Sequence, residues 1–195
     1  MNEKLEKLYK ECLQELYSIG INILNNLEIG TIEIKIQKRK IKRYGCCKQE
    51  EPVEDSKYIE IKNRRKYIRY YKYQKHLIEI SSWVMELDDS IIKNTIMHEI
   101  IHCFPYCNNH GKEFKKYAKY INEKLGYNIS RLGNKEEDYK KSNIEYKEEK
   151  NYKYRIQCKK CGQIAYRQRI NKNFERKYKC GICGGRFKLD FFQKG

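Results

Sequence analysis

Apolar positions near the start of the chain recur at helical spacing. Leu5, Leu8, Tyr9, Cys12, Leu16 and Ile19 fall on one stripe, and Gly20 stands where a helix can end in a left-handed residue. From Thr31 the period drops to two: Ile32, Ile34 and Ile36 alternate with Glu33 and Lys35, which predicts a strand. Gly45 marks a turn. The acidic stretch over residues 50 to 56, with Pro52 inside it, predicts a loop. Tyr58, Ile59 and Ile61 predict a second strand, and Leu77, Ile78 and Ile80 another close to Trp83. Asp88, Asp89 and Ser90 offer N-caps to a helix over residues 91 to 103, which Pro105 stops. After Gly111, Phe114, Tyr117, Ala118, Ile121 and Leu125 form the apolar face of a further helix, and Gly126 closes it. Helices and strands mixed in this way predict an α+β fold.

The helix over residues 91 to 103 carries the candidate chemistry. Ile92, Ile96, Ile100 and Cys103 occupy one arc, and Ile91, Met97 and Ile101 add apolar surface elsewhere. What remains is a narrow polar strip of Asn94, Thr95, His98, Glu99 and His102. His98-Glu99-Ile100-Ile101-His102 reads H-E-x-x-H. At about 100° per residue, the two histidines stand about 40° apart on one face, one turn from each other. Both imidazoles can reach one zinc ion, and Glu99 can act as general base on the zinc-bound water. Ionisable groups on a buried helix need partners, and a metal supplies one. A catalytic zinc takes three protein ligands. His110 ranks first as the third, since it begins the next helix after a turn that brings the chain back. His76 is a weaker candidate, Glu113 a carboxylate alternative, and Cys103 and Cys107 would make the metal less electrophilic.

Residues 95 to 114, TIMHEIIHCFPYCNNHGKEF, resemble the core of the SprT-like metalloprotease family, which includes the Spartan proteases. That family joins H-E-x-x-H to a downstream H-G-x-x-F element. The resemblance implies a zincin-like domain with His98, His102 and His110 as zinc ligands and Glu99 as the catalytic residue. It also implies a protease acting on DNA-associated or DNA-crosslinked proteins.

A second unit closes the chain. Cys158-x-x-Cys161 and Cys180-x-x-Cys183 are separated by 18 residues, the spacing of a structural zinc site with four thiolates. Short strands at Ile164-Ala165-Tyr166 and Tyr178-Lys179 complete the layout of a zinc ribbon, which SprT-like proteins often carry. A unit this small needs its metal to fold reliably. Residues 135 to 150 hold five basic and six acidic side chains and read as a charged linker, with a solvated helix as the alternative. The expected organisation is a metalloprotease domain over 1–134, a linker over 135–150 and a ribbon over 151–195. Two zinc ions follow, one catalytic and one structural.

Charge adds a partner. The net charge is +17, and residues 151 to 195 contribute 13 basic against 2 acidic side chains. Arg167, Arg169, Lys172, Arg176 and Lys177 cluster between the cysteine pairs. They are the candidate nucleic-acid contacts, expected to bind DNA or RNA with little sequence preference; the family resemblance implies DNA, and the expectation is DNA of single-stranded character. A second basic segment, residues 62 to 75, has seven basic side chains, no acidic ones and four tyrosines. It fits a strip whose tyrosines stack on unpaired bases, and equally an exposed hairpin whose charge protects a sheet edge. Nine cysteines cannot all pair, and no run of 18 apolar residues exists. The charged start MNEKLEKLYKECLQEL lacks the apolar core of a signal peptide. The chain is therefore expected to be intracellular, with protein substrates and no membrane partner. The competing readings are a nucleic-acid-binding zinc protein whose H-E-x-x-H site is structural or inactive, and a metallohydrolase acting on a non-peptide bond.

Overall fold

The computed structural model describes residues 2–23, 26, 28–39, 42–131, 133–146 and 152–191. The chain divides into two compact units, Met1–Tyr146 and Lys147–Gly195. Each is described by itself.

The first unit opens with α1 (Glu3–Ser18), whose start is capped by the Asn2 side chain accepting from the Leu5 N–H. Strand β1 (Thr31–Gln37) follows, then β2 (Gly45–Pro52), β3 (Lys57–Lys62), β4 (Arg65–Tyr70) and β5 (Tyr73–Ser81). Next come α2 (Asp89–Ile101), α3 (Lys112–Leu125) and α4 (Lys135–Lys141). The main sheet has the order β1-β5-β2, with β1 parallel and β2 antiparallel to β5. Pairing of Ile34 and Cys47 with Ile78, and of Ile36 and Gly45 with Ile80, sets these residues on one face. That face and the helices share one core, in which Leu5, Leu16, Ile78, Ile80, Ile92, Ile96, Ile100 and Ile121 are buried. Each such side chain contributes about 1.5–3 kcal/mol by leaving water. The other face of β5 buries a charge: Glu79 accepts from Gln37 and pairs with Lys48 at 2.9 Å, which hold its carboxyl below the usual range against the cost of burial.

Two expectations are corrected here. Residues 45 to 52 form a strand rather than a turn and a loop. β2 lies at the sheet edge and its sequence, GCCKQEEP, has no regular alternation, because an edge strand is held through its backbone and tolerates Pro52 at its end. In the segment read as a linker, residues 135 to 141 form α4 within the first unit. Tyr139 stacks on Trp83 at 5.9 Å, Lys135 lies 3.9 Å over the same ring, and the Tyr44 hydroxyl bonds Asp138. The remainder of that segment reaches residues 147–150, outside the described residues.

In the second unit β6 (Tyr154–Cys158), β7 (Ile164–Arg167), α5 (Phe174–Lys177) and β8 (Phe187–Phe191) form a three-stranded antiparallel sheet of order β7-β6-β8 with one helical turn. Tyr178-Lys179 is not a strand; Lys179 makes a single bridge to Arg186. Among the described residues no helix is long and apolar enough to cross a membrane.

Candidate active site

Helix α2 is apolar on most of its surface, so its polar strip has one outlet. Asp88 caps its start, accepting from the Ser90 N–H at 2.9 Å. Ile91, Ile92, Ile96, Met97, Ile100 and Ile101 are buried around it. The helix ends at Ile101, and a short loop carries the chain past Tyr106, which sits at φ 62°, to His110 just before α3. That return brings one nitrogen from each of His98, His102 and His110 within 4.8 Å of the others. His98 Nε2 and His110 Nε2 are 2.9 Å apart.

The rings are held from behind. Phe114, buried in the first turn of α3, lies with its centroid 4.9 Å from His98, 4.7 Å from His102 and 4.7 Å from His110. His102 Nδ1 is 2.6 Å from the Cys107 carbonyl. In the neutral ring that nitrogen donates its N–H, which leaves the Nε2 lone pair free. His98 bonds the backbone at Ser130. The segment bearing Ser130 is clamped by two amides: Asn94 exchanges two hydrogen bonds with the Asn128 backbone, and Asn122 two with Ile129.

Burial lowers the affinity of all three imidazoles for protons. His98 falls to about 3, through burial and then the charges of His102 and His110. His102 is lowered by burial, and His110 by burial and then by Arg131. Neutral imidazoles with converging lone pairs repel one another at 2.9 Å unless a cation or proton lies between them. Such a donor set fits zinc. His76, Glu113, Cys103 and Cys107 stand outside this cluster.

Glu99 is 6 % exposed, and burial pushes its carboxyl up to about 7 against the backbone N–H of Cys47 and the charge of Arg43. Gly45 leaves room for it. A Cβ at Gly45 would lie 2.8 Å from Glu99 Oε1 and 2.9 Å from its Cγ. The three histidines and Glu99 open on a cleft of about 1150 Å³ that Arg43 and Arg131 also line.

A scan against known protein families matches residues 5–133 to the SprT-like family. The chain belongs to the SprT-like family. Its first unit is therefore a metalloprotease-like domain, and the match runs from within α1 to beyond the end of α3. No curated protein matches this SprT-like chain.

The family match stops short of the second unit, whose site rests on its own cysteines. The sulfurs of Cys158, Cys161, Cys180 and Cys183 all lie within 4.8 Å of one another. Cys158 Sγ is 3.4 Å from Cys183 Sγ, and Cys161 Sγ 3.7 Å from Cys180 Sγ. The backbone N–H of Cys161 draws the Cys158 thiol down to about 6, and that of Cys183 lowers Cys180; Cys161, despite the backbone at Gln163, is pushed up to about 12 by the sulfurs around it. Hydrogen bonds to sulfur that favour thiolate are what a tetrahedral zinc site needs, and the cluster fits a zinc ribbon. Arg167, Arg169, Lys172, Arg176 and Lys177 are all exposed on this unit, and none has a carboxylate partner among the described residues.

The groups that sequence reasoning passed over are mostly backbone: the Cys47 N–H on Glu99, and the backbone at Cys107 and Ser130 on the imidazoles. A backbone group leaves no residue signature. Phe114 was visible as one apolar position among five on its helix and as the last residue of the H-G-x-x-F element, with nothing to say that it packs on all three rings.

Proposed function

We propose that this protein is a zinc-dependent peptidase in which His98, His102 and His110 hold the metal and Glu99 is the general base. The observation that carries the reading is the convergence of three neutral imidazoles and one buried carboxylate on a single open cleft. Zinc held there supplies Lewis acidity and lowers the pKa of a water molecule towards about 7. Glu99 takes the proton that the attacking water loses and returns it to the leaving amine. A positioned carboxylate can serve both transfers near neutral pH. Cys47 fixes where that carboxylate stands, and Phe114 keeps the three rings from turning. The ribbon holds a second, structural zinc on Cys158, Cys161, Cys180 and Cys183. Its exposed Arg167, Arg169, Lys172, Arg176 and Lys177 bind DNA through phosphates, which concentrates the enzyme on DNA-associated or DNA-crosslinked proteins.

The test is casein cleavage by wild type and Glu99→Gln, with and without single-stranded DNA, alongside metal analysis. The expected result is about two zinc ions per chain in both proteins, with cleavage in wild type alone. Cleavage by Glu99→Gln at the wild-type rate would falsify the assignment of the base. Retention of both metals in His98→Ala would remove the catalytic zinc from the reading.

A further inference from the structure

We propose that the hairpin β3–β4 is a docking surface for extended protein segments carrying apolar and acidic side chains, a surface separate from the active-site cleft. The cleavage role rests on the peptidase reading above; the docking role does not.

The basic, tyrosine-rich segment over residues 62 to 75 fits a nucleic-acid strip by composition, but the structure spends its tyrosines elsewhere. Tyr71 stacks on Tyr106 with centroids 4.7 Å apart and planes at 13°. Tyr70 packs edge to face with Tyr73, and Tyr73 with His76. Tyr67 carries the Arg69 guanidinium 5.5 Å from its centroid. Each of these four tyrosines thus has an aromatic or cationic neighbour within the first unit.

The hairpin presents isoleucine instead. Ile59, Ile61 and Ile68 are 63 %, 70 % and 59 % exposed. The tight turn at Asn63-Arg64, both with positive φ, fixes the register. Ile59 then pairs with Ile68 and Ile61 with Lys66, so the three isoleucines share one face with Lys57 and Lys66. Contiguous apolar exposure with a polar rim is the signature of a protein partner. Among the described residues, neither β3 nor β4 pairs with any other strand. Each outer edge therefore offers unpaired N–H and C=O groups to an added strand. Alternate side chains of that strand would meet the isoleucines. Lys57 and Lys66 have no carboxylate partner among the described residues, and they favour acidic neighbours.

Position completes the case. The base of the hairpin is pinned by Ser56, which bonds the Lys72 carbonyl and accepts the Lys72 N–H. Tyr58 and Tyr71 both pack on Tyr106, in the loop between His102 and His110. Both tyrosines lie on the face opposite the isoleucines, so the loop between His102 and His110 braces the back of the hairpin and leaves the isoleucine face open to a polypeptide.

The test uses the full chain carrying Glu99→Gln, so that binding is read without cleavage. The probe is a labelled peptide of about 12 residues in which valine alternates with glutamate, compared with its lysine counterpart and with labelled oligothymidylate. The glutamate peptide is expected to bind best, and more weakly as salt rises. Ile59→Ser with Ile68→Ser should weaken it by about tenfold or more, as should Ile61→Glu alone, a change at a side chain that takes no part in the Ile59–Ile68 pair. Circular dichroism checks that both variants fold. Equal affinity in parent and variants overturns the proposal. So does oligothymidylate that binds more tightly than the glutamate peptide and is lost with the same isoleucines. In the Glu99 background, the hairpin changes should lower kcat/KM on casein and spare a short peptide confined to the cleft. Peptide binding as expected, with no proteolysis by wild type, would support the docking surface and sink the peptidase reading alone.

Discussion

Gly45 and Glu99 compete for one small volume, and the competition can be measured. A methyl group at Gly45 would sit 2.8 Å from Glu99 Oε1, so the carboxylate must swing aside and give up the Cys47 N–H. Gly45→Ala should therefore retain zinc and fold, yet lose about 100-fold in casein cleavage, the usual scale for a misplaced catalytic group. Activity within about threefold of wild type would show that the base has room to spare. His76 tests a different cost. It is 1 % exposed, facing the core between Ile32 and Gln49 with Tyr73 against its ring, and neither ring nitrogen has a well-aligned hydrogen bond. Burial lowers it to about 4, partly offset by the backbone at Ile29. Below about pH 6.5 the unfolded chain takes up a proton that the folded chain refuses, so stability falls until about pH 4. The total lost is about 3 kcal/mol, and nothing is lost above pH 6.5. His76→Leu should flatten urea-denaturation midpoints between those two values. A variant as acid-sensitive as wild type would place the burden on other groups.

Among the elements, α4 shows how much a charged run can conceal. Its sequence, KEEDYKK, has a single aromatic and no apolar stripe, so periodicity gives no reason to dock it. Docking comes from three local contacts: Tyr139 and Lys135 on Trp83, and Asp138 under the Tyr44 hydroxyl. Trp83→Ala should cost about 2–3 kcal/mol, less than a fully buried tryptophan because Trp83 is only half-buried. A chain ended at residue 134 should lose a comparable amount relative to one ended at 146, read by urea titration. Equal stability of those two fragments would make α4 a bystander. The helices and β1 were legible because burial imposes a period on their side chains. The histidine cluster was legible because two ligands one helical turn apart, followed by a third at the next helix start, is a spacing that side chains alone can show. β2 was not, since its hydrogen bonds to β5 ask nothing of its residues except an extended backbone. The hairpin was half legible: its charge and tyrosines stood out, while the register that turns three isoleucines outward depends on the Asn63-Arg64 turn.

At the scale of the whole molecule, the excess charge and the histidine cluster belong to different units of the chain. The second unit contributes +11 of the net +17, while the histidine cluster and Glu99 belong to the first. A chain of residues 1–146 should fold, bind one zinc ion and keep basal cleavage. It should bind DNA more weakly and with a shallower salt dependence than the full chain, because fewer counterions are released. DNA stimulation of cleavage should weaken in step. An unchanged salt slope would move nucleic-acid binding off the ribbon. The order of the main sheet bears on how the molecule is made. Its middle strand, β5, is the last of the three to be synthesised, and both neighbours precede it. On the ribosome, β1 and β2 emerge with nothing to pair with until Ser81 has left the exit tunnel. The hairpin forms first, from contacts between neighbours in sequence, and the sheet closes around it only when β5 arrives. A nascent chain stalled before Tyr73 has the hairpin but no main sheet, and β1 and β2 are exposed to whatever strand they meet.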